Sequence, residues 1–182
     1  MSESAAPTDC DGTRLATGVA VLASCWRQPT PELVDAVNAG ALEDVVNGVD
    51  EIVVEALRAE HARLFVGPAP PPCPPYESVY RDGEGGNPGK VLGPSTHAVV
   101  GWYRQYGLGL DPNWPDLPDH LSTELEFVAH LLEKGETEAC EEFLEEHLRE
   151  WGDAFLADVE KETDEPYYEA LARSTRTAIE SL

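Results

Sequence analysis

Apolar residues recur every three or four positions through most of the chain, which is the spacing of one face of a helix. The first such stripe consists of Leu15, Val19, Leu22 and Trp26. It predicts a helix over residues 13–27, preceded by a disordered tail at residues 1–12. A short helix should begin at Pro31, because Thr30 can cap it and proline is favoured at the first helical position.

The next predicted helix runs to Val66 and should be capped by Asp50. Its stripe consists of Val53, Leu57, His61 and Leu64. These positions fall within about 80° of helical arc, so this helix should be largely buried.

Helical periodicity returns in the second half of the chain. The predicted helices span residues 95–106, 119–134, 136–161 and 166–179. No stretch alternates convincingly between apolar and polar residues, as a half-buried strand would, and no internal repeat is present. The sequence therefore predicts an all-α fold, a single-domain helical bundle over residues 13–182.

One long interruption, residues 67–94, contains eight of the 15 prolines and six of the 15 glycines. No regular element is expected in such a composition. A connection of this length far exceeds the usual span of about 4 to 6 residues and is either functional or disordered. Polyproline stiffness and the aromatic rings of Tyr76 and Tyr80 favour a functional loop.

The strongly acidic net charge of the chain excludes some classes of function. Among 182 residues, 35 are acidic and 12 are basic, which gives a net charge of -23. Direct nucleic-acid binding is not expected, because it requires clustered Lys and Arg. Arginine outnumbers lysine, and we interpret the acidic surface as adaptation to a very salty cytoplasm. No apolar run has the length of a membrane span and the N-terminus lacks the pattern of a secretion signal, which predicts a cytoplasmic protein.

Templates for enzymes and metal sites are not matched. The four cysteines are widely spaced without a C-x-x-C pair, so free thiols, no bound metal and no cofactor are expected. No G-x-S-x-G or H-E-x-x-H pattern is present. Gly89-Lys90 faintly resembles a phosphate-binding loop, although Glu84 and Val91 replace its required residues. A nucleotide (GTP) hydrolase that uses this glycine-rich loop is therefore kept as an alternative, as is a generic acidic helical adaptor.

Two constellations carry candidate chemistry. The first joins E-H-A-R-L-F-V-G-P at residues 60–68 to P-P-Y-E-S-V-Y at residues 74–80, and could form an apolar groove with a few polar contacts. The second is Asp119-His120 at the start of a helix, where Asp119 is most simply an N-cap. His120 shares a second, non-solvent face of that helix with Glu124, and we expect this face to meet a ligand.

Together these motifs resemble the TorD/DmsD/NarJ group of cytoplasmic chaperones for molybdenum oxidoreductases. His61 departs from the aromatic residue usual at its position, and the E-P-x-D-H motif of the group retains only Asp119 and His120, with Asp116 and Leu117 in the Glu and Pro places. The resemblance implies a helical chaperone, without catalysis, that binds the twin-arginine signal peptide of an apo molybdopterin oxidoreductase subunit before export.

The resemblance also implies which residues bind the peptide. They are His61, Leu64, Phe65, Pro75, Tyr76, Ser78, Tyr80, Asp119 and His120. Two leader guanidinium groups ahead of an apolar stretch need a carboxylate beside an aromatic groove. We expect Asp119 to supply that carboxylate at the binding surface.

Overall fold

The computed structural model describes residues 9–67, 70–109 and 116–182, which form an all-α fold without strands. The helices are α1 (Asp9–Cys25), α2 (Pro31–Asn38), α3 (Val54–His61), α4 (Glu77–Arg81), α5 (Pro94–Gln105), α6 (Leu121–Lys134), α7 (Thr137–Phe143), α8 (Arg149–Glu162) and α9 (Pro166–Ser181). A wide π-helical turn, Ala62–Val66, continues α3, and a second one, Leu144–Leu148, joins α7 to α8. The predicted fold class is confirmed.

Most predicted helix ends after residue 94 lie within two residues of the observed ones, although the wide turn before α8 was not predicted. α1 begins four residues earlier than predicted, and residues 1–8 of the predicted tail lie outside the described part of the chain. Thr30 caps α2 as predicted, since its Oγ1 accepts a bond of 3.2 Å from the Leu33 amide. The predicted Asp50 cap is wrong, because α3 follows Val53, which is exposed and makes no capping bond.

The core is formed by α6, which lies along α1 and is buried on most of its circumference. α8 and α9 pack together against α1 and α4. The second face of α6 is buried as expected, but by protein: Phe127 packs on Tyr103 and Phe143, and Glu124 accepts a bond from the Trp151 indole. Of that face, His120 lines a cleft at the start of α6, and Phe127 lines a separate pocket beside Tyr103.

The proline- and glycine-rich connection contains a short helix, α4, which contradicts the prediction of no regular element. An isolated antiparallel bridge between Tyr76 and His120 aligns this segment with the start of α6. At its far end, the Gly89 amide bonds the Val79 carbonyl at 2.8 Å. A Cβ atom at Gly89 would overlap the Ser78 carbonyl, so only glycine fits there.

Buried thiols lie at several helix junctions. Cys25, Cys73 and Cys140 are free, as predicted, and the side chain of Cys10 lies outside the described residues. Cys73 connects the turn after α3 to the loop, because its amide bonds the Leu64 carbonyl at 2.9 Å. Burial raises the pKa of the Cys73 thiol to about 12. Among the described residues, no helix combines the length and apolar character needed to cross a bilayer.

Candidate functional site

A cleft of about 460 Å³ opens where the end of α1, the turn after α3, the start of the proline-rich loop and the start of α6 meet. Its lining residues are Trp26, Arg27, Gln28, Thr30, His61, Phe65, Val66, Pro75, Tyr76, Asp116 and His120. Five of the nine residues predicted for the site lie here: His61, Phe65, Pro75, Tyr76 and His120. The volume is within the range of about 300–1,000 Å³ that is usual for ligand pockets.

One wall of the cleft is aromatic and rigid. The rings of Trp26 and Phe65 meet edge to face with centroids 6.0 Å apart, and both pack on Phe155 of α8. The Trp26 indole donates a bond of 3.0 Å to the buried Thr175 hydroxyl. Because α8 and α9 hold these rings from behind, the wall is preformed for an apolar ligand.

The opposite wall is formed by Tyr76 and His120. Their rings meet edge to face at 5.3 Å, and their backbones are aligned by two hydrogen bonds of 3.0 Å, from Glu77 to Asp119 and from Leu121 to Pro75. These bonds fix the position of Tyr76 relative to the start of α6.

His120, rather than Asp119, caps α6. Its Nδ1 accepts a bond of 3.1 Å from the Ser122 amide. Burial lowers the pKa of His120 to about 4, an effect that the nearby Asp116 opposes and that Arg27 reinforces. The ring is thus neutral at pH 7, and since Nδ1 is an acceptor, the proton lies on Nε2. Within the described ranges Nε2 has no hydrogen-bond partner, so it remains a donor for a ligand in the cleft.

At the rim, Arg27 lies between two carboxylates. Its Nε is 3.0 Å from Asp116 Oδ2 and its Nη1 is 2.8 Å from Glu126 Oε1. The three side chains are 28%, 18% and 28% exposed respectively. Burial raises the pKa of Glu126, and the charge of Arg27 counteracts this. Asp116 also accepts a bond of 3.2 Å from the Ser122 hydroxyl, which places it beside His120.

The other four predicted residues lie behind the cleft surface. Leu64 is core, and Tyr80 is half-buried, with its hydroxyl bonded to Asp158 at 3.1 Å. The Ser78 amide donates to Asp119 Oδ2 at 3.0 Å. Asp119 therefore caps α4, not α6, and it is fully buried. The expectation that its charge lies at the binding surface is not met, and we assign it a positioning role.

A second polar cluster lies in the core beneath α4. Glu77 is fully buried, pairs with Arg81, and has its Oε2 2.9 Å from His147 Nδ1. Glu124 faces Glu77 and accepts a bond of 3.2 Å from Trp151 Nε1. Burial, together with the charge of Glu77, raises the pKa of Glu124 well above its ordinary value.

The glycine-rich loop does not form a phosphate site. The Asp82 carboxylate caps α5, accepting bonds of 2.9 Å from the Ser95 amide and 2.6 Å from the Ser95 hydroxyl. A phosphate at this helix start would meet a carboxylate rather than free amides. The Gly89 amide is likewise bonded within the loop.

Sequence reasoning missed much of the cleft. The apolar spacing identifies Trp26 only as part of a core stripe, and no motif marks Arg27, Gln28 or Thr30 as site residues. Asp116 stands out in the sequence only as a departure from a motif. What Trp26, Arg27, Gln28 and Thr30 share is their position in the short segment between α1 and α2, which only the packing of α1 against α6 brings to the cleft.

Comparison with known proteins gives concordant results. The family model described as the nitrate reductase delta subunit matches residues 23–157. The Tat proofreading chaperone DmsD of Salmonella paratyphi A is 33% identical over 125 residues, which cover 69% of this chain and 59% of that protein. The chaperone protein TorD of Shewanella pealeana is 27% identical over 135 residues, or 72% of this chain and 61% of that protein. The chain therefore spans about three-fifths of the length of these curated relatives.

A solved structure supports the fold. The crystal structure of a protein described as a redox enzyme maturation protein from Archaeoglobus fulgidus superposes with a TM-score of 0.65 at 24% identity, covering 99% of this chain and 98% of that one. The region matched by the family model includes every segment that lines the cleft. On that match, this chain belongs to the nitrate reductase delta subunit family.

Proposed function

We propose that this protein is a cytoplasmic chaperone that binds the twin-arginine signal peptide of an apo molybdopterin oxidoreductase subunit. Binding would delay export while the cofactor is inserted into the subunit, and the chaperone itself would catalyse no reaction. Family membership and relatives named Tat proofreading chaperone and chaperone protein support this assignment.

The observation that carries the proposal is the juxtaposition of an aromatic wall and the Asp116 carboxylate in one cleft, with a second carboxylate, Glu126, joined to it through Arg27. A twin-arginine leader contains two guanidinium groups followed by an apolar stretch. Guanidinium binds carboxylates through paired, charge-assisted hydrogen bonds, and apolar side chains bury well against aromatic rings. Asp116 lines the cleft with Trp26 and Phe65, and Glu126 is the other carboxylate that Arg27 pairs with.

His120 and Tyr76 complete the cleft. The Nε2 proton of His120 can be donated to a peptide carbonyl, since extended peptides need backbone partners as well as side-chain pockets. Tyr76 presents a half-buried ring from the loop, where the bridge to His120 fixes its position. The proposed ligand is therefore recognised by both its backbone and its side chains.

The alternatives account for less of the site. A nucleotide hydrolase would need the glycine-rich loop to hold phosphate, and Asp82 occupies the helix start where phosphate would bind. A generic acidic adaptor would bind basic peptides through surface charge alone, without regard to the cleft. It would therefore not distinguish arginine from lysine as a paired fork of donors does.

Titration calorimetry with two synthetic peptides tests the proposal. One peptide carries an Arg-Arg pair followed by an apolar stretch, and the other carries Lys-Lys in the same sequence. We expect the first to bind at least about tenfold more tightly, the loss of one charge-assisted bond. Equal affinities would contradict recognition of the arginine pair.

A matched pair of exposed valines tests whether the peptide binds in the cleft. Val66 lines the cleft and is 65% exposed, whereas Val91 is 46% exposed and lies outside it. Neither side chain supports the core, so both serine variants should fold. We expect Val66→Ser to weaken the Arg-Arg peptide about three- to tenfold, because valine burial against the peptide is lost, and Val91→Ser to leave affinity unchanged. If Val66→Ser and Val91→Ser bound the Arg-Arg peptide with the same affinity, the peptide would bind outside the cleft.

A further inference from the structure

We propose that Arg27 occupies the place of a leader arginine in the free protein, so that a peptide binds by exchanging its own guanidinium for that of Arg27. This inference rests on the proposed function and adds to it a residue that sets specificity. The chain would thus contain an internal competitor for its own binding site.

The geometry of Arg27 is that of a bound arginine ligand. Its guanidinium uses two different nitrogens for two different carboxylates, Nε for Asp116 and Nη1 for Glu126. The two acids come from different segments, one before α6 and one within it, and Arg27 comes from a third, just after α1. A guanidinium entering from the cleft would reach Asp116 directly and would reach Glu126 only by taking the place of Arg27, because Arg27 and Asp116 line the cleft and Glu126 does not.

The exchange is feasible because this ion pair is partly exposed. Pairs of this kind contribute little net stability, about 0 to 1 kcal/mol, since water competes for the same groups. Arg27 can rotate towards solvent and be hydrated, while the incoming guanidinium restores the neutralisation of Asp116 and Glu126. The arginine of the core cluster, Arg81, cannot be replaced in this way, since its partner Glu77 has no exposed surface.

An internal competitor also filters ligands. A purely apolar peptide that displaced Arg27 would leave two carboxylates close together without a cation, so the displacement is favourable only for a cationic ligand. A lysine ammonium lacks the planar fork that contacts Asp116 and Glu126 in the same way as Arg27. Because a peptide can bind only to molecules in which Arg27 has left the two carboxylates, the apparent affinity of every peptide is its intrinsic affinity multiplied by the fraction of such molecules.

The experiment is a double-mutant cycle in which calorimetry measures affinity for the Arg-Arg peptide. We expect Arg27→Gln to tighten binding about two- to fivefold, the range that corresponds to a partly exposed ion pair. Adding Asp116→Asn and Glu126→Gln should weaken binding and abolish the tightening by Arg27→Gln, because no acceptors remain to compete for.

Arg58→Gln controls for local charge. The Nε of Arg58 donates to the Pro29 carbonyl at 2.7 Å, next to two residues that line the cleft, but Arg58 pairs with neither acid of the rim. Equal tightening by Arg58→Gln, or tightening by Arg27→Gln that persists without the acids, would show a general charge effect and overturn the inference.

The remaining outcomes separate this inference from the proposed function. Weaker binding by a folded Arg27→Gln protein, with the wild type binding normally, would overturn the inference alone. Failure of every protein in the cycle to bind the peptide would overturn the proposed function and the inference with it. If Arg27→Gln does not fold, Arg27→Lys replaces it: we expect a smaller tightening, and no tightening would count against the exchange.

Discussion

Two polar clusters of the same composition lie at different depths in this protein. The cleft cluster consists of Arg27, Asp116, Glu126 and His120. The core cluster consists of Arg81, Glu77, Glu124 and His147. Each contains one arginine, one histidine and two carboxyl groups, so the difference between them comes from their surroundings.

In the cleft cluster the carboxylates keep contact with water, and the ion pair can be exchanged at little cost. In the core cluster both carboxyl groups are fully buried, and the pKa of one of them, Glu124, is raised well above its ordinary value by burial and by the charge of Glu77. The same chemical groups therefore hold helices together in one place and stay available to a ligand in the other.

The largest effect is expected from breaking the core cluster. Glu77→Gln removes the fully buried carboxylate that contacts both Arg81 and His147, and should lower the free energy of unfolding by about 3 kcal/mol, since two hydrogen-bonding partners lose a charged acceptor. Urea denaturation measures this. Glu141→Gln, which breaks the surface pair with Arg149, is the control and should leave the midpoint unchanged. Similar urea midpoints for the two variants would show that the buried ion pair contributes no more to stability than the surface pair.

An effect of similar size is expected from the pH dependence of His120. Its pKa falls from 6.5 in the unfolded chain to about 4 in the folded protein. The unfolded chain therefore binds the proton first, and stability is present above pH 6.5 and is lost as pH falls towards 4, by up to about 3 kcal/mol. His120→Asn keeps a capping acceptor for Ser122 and should flatten this loss. If the melting temperatures of the variant and the wild type fell by the same amount between pH 7 and pH 4, His120 would not be the source of the loss.

The core cluster should respond to pH in the opposite direction. The folded pKa of Glu124 is raised above its unfolded value of 4.5, so its contribution to stability is present below that value and declines as pH rises. Glu124→Gln keeps a polar partner for Trp151 without titrating. We expect it to differ from the wild type by no more than about 1 kcal/mol and to gain relative stability between pH 5 and 8. Loss of relative stability in that range would indicate an ionised Glu124.

The smallest effect is expected from Asp119→Asn. Asparagine caps a helix about as well as aspartate, so stability should change by only a few tenths of a kcal/mol, against about 1 kcal/mol for Asp119→Ala. Because the Asp119 carboxylate is buried at the start of α4, peptide affinity should be unchanged in the asparagine variant. A large loss of affinity in a folded Asp119→Asn protein would restore a direct contact with the ligand.

Helix positions followed from sequence because each helix carries its own signal. The spacing of apolar residues predicted α6, and Pro31 with Thr30 predicted the start of α2. α4 was missed because its five residues are too few for a period. Contacts from elsewhere in the chain fix it, above all the bond between Ser78 and Asp119.

The site was predicted only in part, for a related reason. His61, Phe65, Tyr76 and His120 belong to motifs that are continuous in the sequence, and they do line the cleft. Arg27 has no local pattern that sets it apart from any arginine at the end of a helix. Its role depends on two acids about 90 and 100 residues away, which only tertiary packing brings to it.

The buried thiol of Cys73 allows the rate at which the proline-rich loop opens locally to be measured. Thiol reagents attack the thiolate, and this thiol is both buried and, with a pKa of about 12, almost never ionised in the folded protein. Alkylation of Cys73 must therefore wait for the segment that follows Leu64 and Phe65 to open, and its rate counts those openings. Any ligand that rests on Phe65 and Tyr76 should slow that rate, so alkylation of Cys73 reports local opening of the loop without an added label.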